Sequence, residues 1–158
     1  MAIRQLGKIV SGGQSGVDRA ALDRASEAGL ARGGWCPRGR RAEDGAIDPA
    51  YPLRETPSAE SSQRTEWNVR DSDATLVLTL PQARSRGTDL TLEVARRQGR
   101  PCRVVDLERP PKKKAIKEWL RAHQVGILNV AGPRESEAPG VYAAASRFLE
   151  QLLNVEEK

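Results

Sequence analysis

Hydrophobic and polar residues follow two alternating patterns along this chain. Short apolar runs, such as those within residues 7–11 (GKIVS) and 74–80 (ATLVLTL), have the length and composition of buried strands. Between such runs, apolar residues recur every three or four positions, as at Val17, Ala21 and Ala25, which is the spacing along one face of a helix. Strands that alternate with helices are typical of an α/β domain with a mostly parallel sheet.

The same patterns predict the bounds of the individual elements. The predicted strands are residues 7–11, 34–36, 74–80, 102–105 and 125–130. The predicted helices start after Gly16, at a Ser58 cap (ending near Asp71), at Thr88, at Pro110–Pro111 and at Pro139. Residues 38–57 are rich in Pro, Gly and charge and show no periodicity. We therefore predict a long loop there, and such loops are often functional.

Composition limits the class of protein. The 158 residues suit one domain, which we place at residues 1–158, and the net charge of +5 favours anionic ligands. No apolar run is long enough to span a membrane, and no signal-peptide segment is seen. Two cysteines without a CxxC spacing, and one histidine, fit a reducing cytoplasm and provide no dedicated metal site. We expect a cytoplasmic protein with no membrane partner.

The loop after the first strand carries the first candidate site. Parallel sheets bind ligands at the carboxyl ends of their strands. Residues 11–16 (SGGQSG) join a strand to a helix, and glycines there let backbone N–H groups approach an oxyanion at the positive end of the helix dipole. The motif is neither Walker A nor the full GxGxxG. The alternative is a tight turn in which Ser15 and Asp18 form a capping box.

A basic loop follows the next predicted strand. Residues 33–41 contain Arg38, Arg40 and Arg41, and no acidic residue precedes Glu43. Dinucleotide-binding sheets need an acid here for the ribose hydroxyls, so the loop favours a phosphate-bearing ligand over NAD. The alternative is a solvated basic loop. Cys36 is either a reactive thiol near these arginines or a small buried residue.

Three further segments can reach the same edge of the sheet. Residues 85–89 (SRGTD) repeat glycine and hydroxyl chemistry at a helix start, although Thr88 can also act as a plain N-cap. Residues 129–136 comprise the end of the last predicted strand and the loop after it. Arg64 and Asn68 share one helix face, which either reaches a ligand or is solvated. The candidate binding residues are Gly12, Gly13, Gln14, Ser15, Gly16, Asp18, Arg19, Arg38, Arg64, Asn68, Arg86, Gly87, Thr88, Asn129, Gly132 and Arg134.

Taken together, these segments resemble a known family. GGQSGVDRAALD, GGWCPRGRRAEDG, RTEWNV, DSDATLVL, RGTDLTLEVA and LNVAGPRES are similar to the bacterial molybdenum carrier proteins, relatives of the molybdenum-cofactor carrier of algae, in order from about Lys8 to Tyr142. The resemblance implies a Rossmann-like domain with helices on both faces, and a homodimer or homotetramer. It also implies that molybdopterin cofactor, or a nucleotide, binds through its phosphate at residues 12–16, with Gly87 and Thr88 as a second contact.

One departure concerns catalysis. Related phosphoribohydrolases, often labelled lysine decarboxylase-like, carry a PGGxGTxxE motif whose glutamate supports cleavage of an N-glycosidic bond. Thr91 stands at that glutamate position here, and Ala83-Arg84-Ser85-Arg86 replaces the first glycines. We therefore expect a non-catalytic carrier or storage protein.

Two alternatives to a carrier remain. The first is a nucleotide-processing hydrolase. Its general acid or base would be one of four carboxylates, namely Asp18, Glu66, Asp89 and Glu135. The second is nucleic-acid binding through the basic residues 112–117. Nucleic acid is not expected as a partner, because no aromatic residue interleaves with those lysines as a stacking platform.

Overall fold

A computed structural model describes residues 5–83 and 85–154. Nine strands and five helices are found in this part of the chain. In chain order they are β1 (Lys8–Val10), α1 (Val17–Glu27), β2 (Ala31–Gly33), β3 (Trp35–Cys36), β4 (Arg41–Ala42), β5 (Gly45–Ala46), β6 (Arg54–Glu55), α2 (Ser61–Arg70), β7 (Ala74–Thr79), α3 (Arg86–Gln98), β8 (Cys102–Asp106), α4 (Lys113–Ala122), β9 (Ile127–Ala131) and α5 (Val141–Leu153).

Five of the strands form one parallel sheet in the order β2-β1-β9-β7-β8. Strand β7 is buried along nearly its whole length, because helices cover both faces of the sheet. Leu76 and Leu78 pack with residues of α1, α4 and α5 in the main core. Helices α2 and α3 meet in a separate cluster around Val69 and Val94. The prediction of one α/β Rossmann-like domain with helices on both faces is confirmed.

Successive strands are added to this sheet in opposite directions from β1 and from β7. From β1 the chain passes through α1 to β2 at one edge, and from β7 it passes through α3 to β8 at the other edge. Strand β9 fills the space between β1 and β7. A topological switch point of this kind opens a crevice at the carboxyl ends of the strands. The loops after β1, β7 and β9 therefore surround one place.

The predicted short strand at residues 34–36 is found as β3 at Trp35–Cys36, but it does not belong to the main sheet. The second strand of the main sheet is β2, whose polar sequence Ala-Arg-Gly lacks an apolar pattern because it lies at the edge. Gly34 has a φ of +132° and separates β2 from β3. Strand β3 then pairs with β6 in a small sheet outside the main one.

The predicted loop at residues 38–57 is more ordered than expected. It contains a β4–β5 hairpin and strand β6, and Ile47 and Leu53 pack with Cys36 and Leu22 in a small core of their own. The Arg40 guanidinium donates to the carbonyl oxygens of four loop residues at 2.9–3.4 Å. Arg40 therefore organises the loop. This role is structural, and it differs from the role suggested by the basic loop in the sequence, which was to attract a phosphate-bearing ligand.

Two predicted N-caps were misplaced, and one predicted capping box does not form. Helix α2 begins at Ser61 after Glu60, and the Ser58 hydroxyl accepts from the Glu60 N–H ahead of the helix. Helix α3 begins at Arg86, and the Ser85 hydroxyl accepts from the N–H of Thr88, which therefore is not the N-cap. Helix α1 follows Gly16 with no side-chain cap, so the Ser15/Asp18 capping box does not form. Among the described residues, no helix is both long and apolar enough to cross a membrane.

Candidate functional site

A polar cleft of about 570 Å³ lies at the carboxyl ends of β1, β7 and β9. This volume is within the range of small-molecule sites. We call it the anion cleft, because three arginines and the start of a helix line it. Its lining residues are Gly12, Gln14, Asp18, Ser61, Arg64, Thr65, Asn68, Ser85, Arg86, Gly87, Thr91, Asn129, Val130, Ala131, Gly132, Arg134 and Glu137.

Most of the candidate residues from the sequence meet in this cleft. Those that line it are Gly12, Gln14, Asp18, Arg64, Asn68, Arg86, Gly87, Asn129, Gly132 and Arg134. Those that do not are Gly13, Ser15, Gly16, Arg19, Arg38 and Thr88. Sequence reasoning did not single out Ser61 or Glu137, since polar residues on a helix or loop give no signal of the direction they face.

The glycine loop is shaped by its glycines. Gly13 and Gly16 have φ values of +82° and +81°, a conformation that L side chains rarely adopt. A Cβ on Gly16 would lie 2.5 Å from the carbonyl oxygen of Pro133, so glycine also allows this loop to pack against the loop after β9. The close packing brings the carboxyl ends of two neighbouring strands together at the cleft.

The backbone donors of the glycine loop are bound by the chain's own side chains. The Gln14 N–H donates to Asp18 Oδ2 at 3.2 Å, and the nearby backbone of Gly12 lowers the pKa of Asp18 slightly. The Gly13 N–H reaches the Ser11 hydroxyl at 3.4 Å, and the Ser15 N–H reaches the side chain of Gln14 at 3.0 Å. The loop therefore forms a cradle of backbone donors that holds an internal carboxylate, that of Asp18.

Asp18 is the most perturbed carboxyl group of the cleft. Its residue is 7% exposed, and its burial raises the pKa to about 6 from the usual 3.8, against the opposing effect of Arg64. Arg64 Nη1 lies 3.6 Å from Asp18 Oδ2 and donates to the Gly12 carbonyl oxygen at 3.0 Å. A Cβ on Gly12 would lie 2.1 Å from Arg64 Nη1, so a larger residue at position 12 would displace the Arg64 side chain. Arg64 thus spans from α2 to the glycine loop.

The start of α3 forms the opposite wall of the cleft. Arg86 and Gly87 are the first residues of α3, and their N–H groups have no acceptor within the helix. Among the described residues, a Cβ built on Gly87 would meet the Ser85 hydroxyl at 3.8 Å and otherwise only the backbone of α3 itself, so there is space at the helix start. The Thr91 hydroxyl donates to the Gly87 carbonyl oxygen at 2.9 Å. Thr91 therefore replaces the phosphoribohydrolase glutamate with a group that bonds within the helix.

Thr88 does not face the cleft in this arrangement. Its N–H is taken by the Ser85 hydroxyl at 3.0 Å, and its own hydroxyl is buried and has no hydrogen-bond partner among the described residues. Arg84, which belongs to the segment that differs from the phosphoribohydrolase motif, lies outside the described residues. The second cradle therefore consists of Arg86 and Gly87.

Glu43 is a structural residue of the site that sequence reasoning missed. Its carboxylate accepts from the Ser15 hydroxyl and from both the N–H and the hydroxyl of Ser136, and its own N–H donates to Gln14 Oε1 at 2.8 Å. Burial acts to raise the pKa of Glu43, but the hydrogen bonds from Ser136 and Ser15 outweigh it, so the pKa lies below its usual value. Glu43 ties the β4–β5 hairpin to the glycine loop.

Arg134 lies between two carboxylates at the rim of the cleft. Its Nε is 3.7 Å from Glu43 Oε1, and its Nη2 is 3.4 Å from Glu137 Oε2. The Arg134 N–H also donates to Glu137 Oε1 at 3.0 Å. The guanidiniums of Arg64, Arg86 and Arg134 line the cleft together with the carboxylates of Asp18 and Glu137, and Glu43 lies beside Arg134 at the rim.

The two asparagines hold the walls of the cleft. The side-chain oxygen of Asn68 accepts from the Trp35 N–H at 2.8 Å. The side-chain nitrogen of Asn68 donates to the Trp35 carbonyl oxygen at 3.0 Å. Asn68 therefore fixes α2 against β3 and is buried. Asn129, at the end of β9, donates to the Thr75 hydroxyl at 3.2 Å. Both amides face the cleft from positions that are fixed by packing.

A second cleft of about 900 Å³ lies on the other side of the glycine loop and includes Ser15, Gly16 and Arg19. The Arg19 Nε donates to the Gly13 carbonyl oxygen at 2.9 Å, and its guanidinium pairs with Asp44 at 3.0 Å. Arg19 thus supports the glycine loop from behind. The hydroxyls of Tyr51 and Tyr142 both donate to Asp23 in this cleft, and burial, helped by the bond to Asp23, raises the pKa of Tyr51 to about 12.

Two residues of the basic loop lie away from the anion cleft. Arg38 is exposed and lines neither of the two clefts. Cys36 is fully buried beside Leu22 and Leu53, and burial raises the pKa of its thiol. Since the thiolate is the reactive form, Cys36 is a packing residue.

Of the four carboxylates named for a hydrolase, Asp18 is the one that lines the anion cleft. Glu66 pairs with Arg97 at 3.8 Å on the exposed side of α2. Asp89 is exposed on α3. Glu135 accepts from the N–H groups of Gly140 and Tyr142 at 2.6 and 3.0 Å and so caps α5. In the described part of the chain, no group of three His, Cys, Asp or Glu side chains could hold a metal ion.

The fold and the cleft define a class: a Rossmann-like domain with a polar site at the switch point of its parallel sheet. The chain belongs to the circularly permutated YpsA SLOG family, whose model matches residues 9–153. A crystal structure from Syntrophus aciditrophicus SB, named "Putative molybdenum carrier protein", is 38% identical, covers 98% of each chain and gives a TM-score of 0.89. The resemblance seen in the sequence is confirmed. No curated protein matches the chain significantly.

Proposed function

We propose that this protein binds a phosphorylated small molecule, of the molybdopterin or nucleotide class, in the anion cleft, and that it acts as a molybdenum-cofactor carrier or store. One observation carries the proposal. The open start of α3, the glycine loop and three arginines converge on one cleft of about 570 Å³. Helix starts and guanidiniums are the groups that proteins use to hold phosphate.

We assign different roles to the start of α3 and to the other walls of the cleft. The N–H groups of Arg86 and Gly87 receive the first phosphate oxygens, because the α3 start is open and carries no side chain at Gly87. Arg64 and Arg134 neutralise charge from the other side. Asn68, Asn129 and Thr65 line the same cleft, and we assign these residues to contacts with the ring of the ligand.

The molybdenum part of the proposal rests on similarity and on the chemistry of the cleft. The 38% identical structure is named as a molybdenum carrier. Molybdopterin carries a phosphate, and its ring has donors and acceptors that suit the amides of the cleft. Molybdenum would arrive inside the cofactor as cargo, held by the pterin. Self-association into a dimer or tetramer and a cytoplasmic location remain predictions.

Thermal unfolding against a panel of phosphorylated ligands tests this function. Molybdopterin cofactor, nucleoside mono- and diphosphates and pyrophosphate are each added to the purified protein, and co-purifying molecules are identified by mass spectrometry. A free ligand concentration of about a hundred times Kd adds about 2.7 kcal/mol to the free energy of unfolding, which raises Tm by several degrees. No shift with any phosphorylated ligand, and no co-purifying ligand, would contradict the proposal.

Replacing Arg64 with Met is expected to weaken binding of the best ligand by about 10- to 100-fold, the usual value of hydrogen bonds to a charged group. Arg64 is 13% exposed at its side chain and contacts the glycine loop, so the folded state of the variant is checked by circular dichroism. Arg96→Met removes an exposed guanidinium of α3 outside the cleft and serves as the matched control. Equal affinities for the two variants would exclude Arg64 from the site.

A hydrolase is the second candidate, and the buried Asp18 carboxyl is the observation that favours it. A carboxyl group with a pKa near 6 can give or accept a proton near neutral pH. Incubation with nucleoside monophosphates, followed by chromatography, would detect the free base and ribose 5-phosphate. Release by the wild type that is lost in Asp18→Asn would establish the hydrolase, and binding without release would establish the carrier.

A further inference from the structure

We infer that the Asp18 carboxylate occupies the glycine-loop cradle as an internal substitute for the ligand's anionic group, and that ligand binding takes up a proton at Asp18. The inference rests on the proposed function, because it concerns how the same cleft accepts phosphate. Asp18 then controls how tightly the cleft binds an anionic ligand and in which protonation state that ligand is bound.

The first support is the direction of the backbone donors. The Gln14 N–H, which an oxyanion would need, donates to Asp18 Oδ2 at 3.2 Å, and the backbone of Gly12 also favours the charged carboxylate. A dianionic ligand at the same donors would meet the carboxylate at close range. In a partly desolvated site, two such anions repel strongly. Protonation of Asp18 removes one of the two charges and leaves the donors in place.

The second support is the balance of charge around Asp18. Its carboxylate faces Arg64 from α2, Arg19 from its own helix and the backbone of Gly12 and Gln14 from the glycine loop. Across the cleft lie Arg86 of α3 and Arg134 and Glu137 of the loop after β9. With Asp18 neutral, the three guanidiniums are opposed by two carboxylates, those of Glu137, which lines the cleft, and of Glu43, 3.7 Å from Arg134 Nε. The cleft is then better suited to a dianion.

The third support is that the burial of Asp18 makes proton uptake accessible near neutral pH. The pKa of this carboxyl is already raised to about 6, so a bound anion raises it further into the neutral range. Arg64 stays within reach of both groups, because it is held by the Gly12 carbonyl oxygen at 3.0 Å. A proton taken up from solvent moves to Asp18, and no covalent bond of the ligand changes.

Sulfate is the probe that tests the inference, because it remains a dianion from about pH 5 to pH 8 whereas phosphate titrates in that range. Sulfate is titrated at constant ionic strength, and the amide signals of Gly12, Gln14 and Gly87 are followed by NMR. In the wild type, the apparent affinity is expected to fall by about 10- to 100-fold between about pH 5 and pH 8, as follows from one proton linked at a pKa near 6.

Asp18→Asn is the test variant. It should bind sulfate with an affinity that is nearly constant over this pH range and, at about pH 8, at least tenfold tighter than the wild type. Glu93→Gln, an exposed carboxyl group on α3, is the control and should retain the pH dependence of the wild type.

The outcomes separate the inference from the proposed function. Binding by the wild type that is independent of pH, or the same pH dependence in Asp18→Asn, would overturn the inference and leave the anion cleft intact. No sulfate-induced shift of these amides in any variant at any pH would overturn the anion cleft itself, and the inference with it.

Discussion

Asp18→Asn is expected to stabilise the folded protein by about 2–3 kcal/mol near pH 7.5. Burial raises the pKa of Asp18 from 3.8 to about 6, and each pKa unit corresponds to about 1.4 kcal/mol. The ionised carboxylate therefore destabilises the fold at neutral pH, despite its contact with Arg64. Asparagine keeps the size and an acceptor oxygen and cannot ionise.

The sign of the pH dependence follows from the same pKa values. Between 3.8 and about 6 the folded state binds more protons at Asp18 than the unfolded chain does. The stability from this group is therefore fully present below pH 3.8 and is lost as the pH rises through 6. The difference between Asp18→Asn and the wild type should vanish towards about pH 4 and reach its full value above about pH 7.

Urea unfolding at several pH values measures this effect, and Glu93→Gln is again the control because its carboxyl is exposed. Equal stability of Asp18→Asn and the wild type near pH 7.5 would mean that Asp18 is well stabilised as a carboxylate. A destabilised variant would mean that the ion pair with Arg64 supports the fold. A stabilising substitution in a cleft is typical of a residue kept for function.

Gly34→Ala is expected to lower the free energy of unfolding by more than about 3 kcal/mol. Gly34 has a φ of +132°, and a Cβ there would lie 2.2 Å from the carbonyl oxygen and 3.0 Å from the nitrogen of Ser11. Both neighbours are backbone atoms at the end of β1, so the overlap can be relieved only by moving the strand. The Asn68 amide, at 3.2 Å, would also be displaced.

Gly45→Ala separates the two causes of this loss. Gly45 has a similar φ of +116° but no atom within 4 Å of its Cβ, so its substitution strains the backbone without overlap. We expect a loss of about 1–2 kcal/mol for Gly45→Ala. Chemical denaturation of both variants checks the comparison. Equal losses of stability in the two variants would show that small movements relieve the overlap at Gly34 and that the β1–α2 junction is not rigid.

The sequence predicted the centre of the sheet well and its edge poorly. Strand β7 reads as a continuous apolar run because both of its faces are covered. Strand β2 is polar and three residues long, so its pattern carried no signal. The run Trp35–Cys36 did carry β-propensity, yet Gly34 turns it out of the main sheet.

The parts of the candidate site that lie at the ends of strands could be predicted from the sequence. Gly12, Gly87 and Gly132 follow strands whose carboxyl ends converge, and all three line the anion cleft. Contacts between distant segments gave no sequence signal. Glu43 bonds Ser15 and Ser136, which are 28 and 93 positions away, and nothing in the local pattern indicates either partner. The carboxylate within the cradle also depends on side-chain geometry that spacing does not reveal.

Titration calorimetry of pyrophosphate into the wild type, Gly87→Asp and Gly87→Asn tests the central claim most directly. Position 87 has open space and an ordinary backbone, and an acid in the first turn of a helix is favourable, so both variants should fold. The two side chains have nearly the same size and differ in charge. If the anion cleft holds phosphate at the start of α3, the wild type binds, and Gly87→Asp binds at least about tenfold more weakly than Gly87→Asn. Equal binding by Gly87→Asp and the wild type would contradict the account.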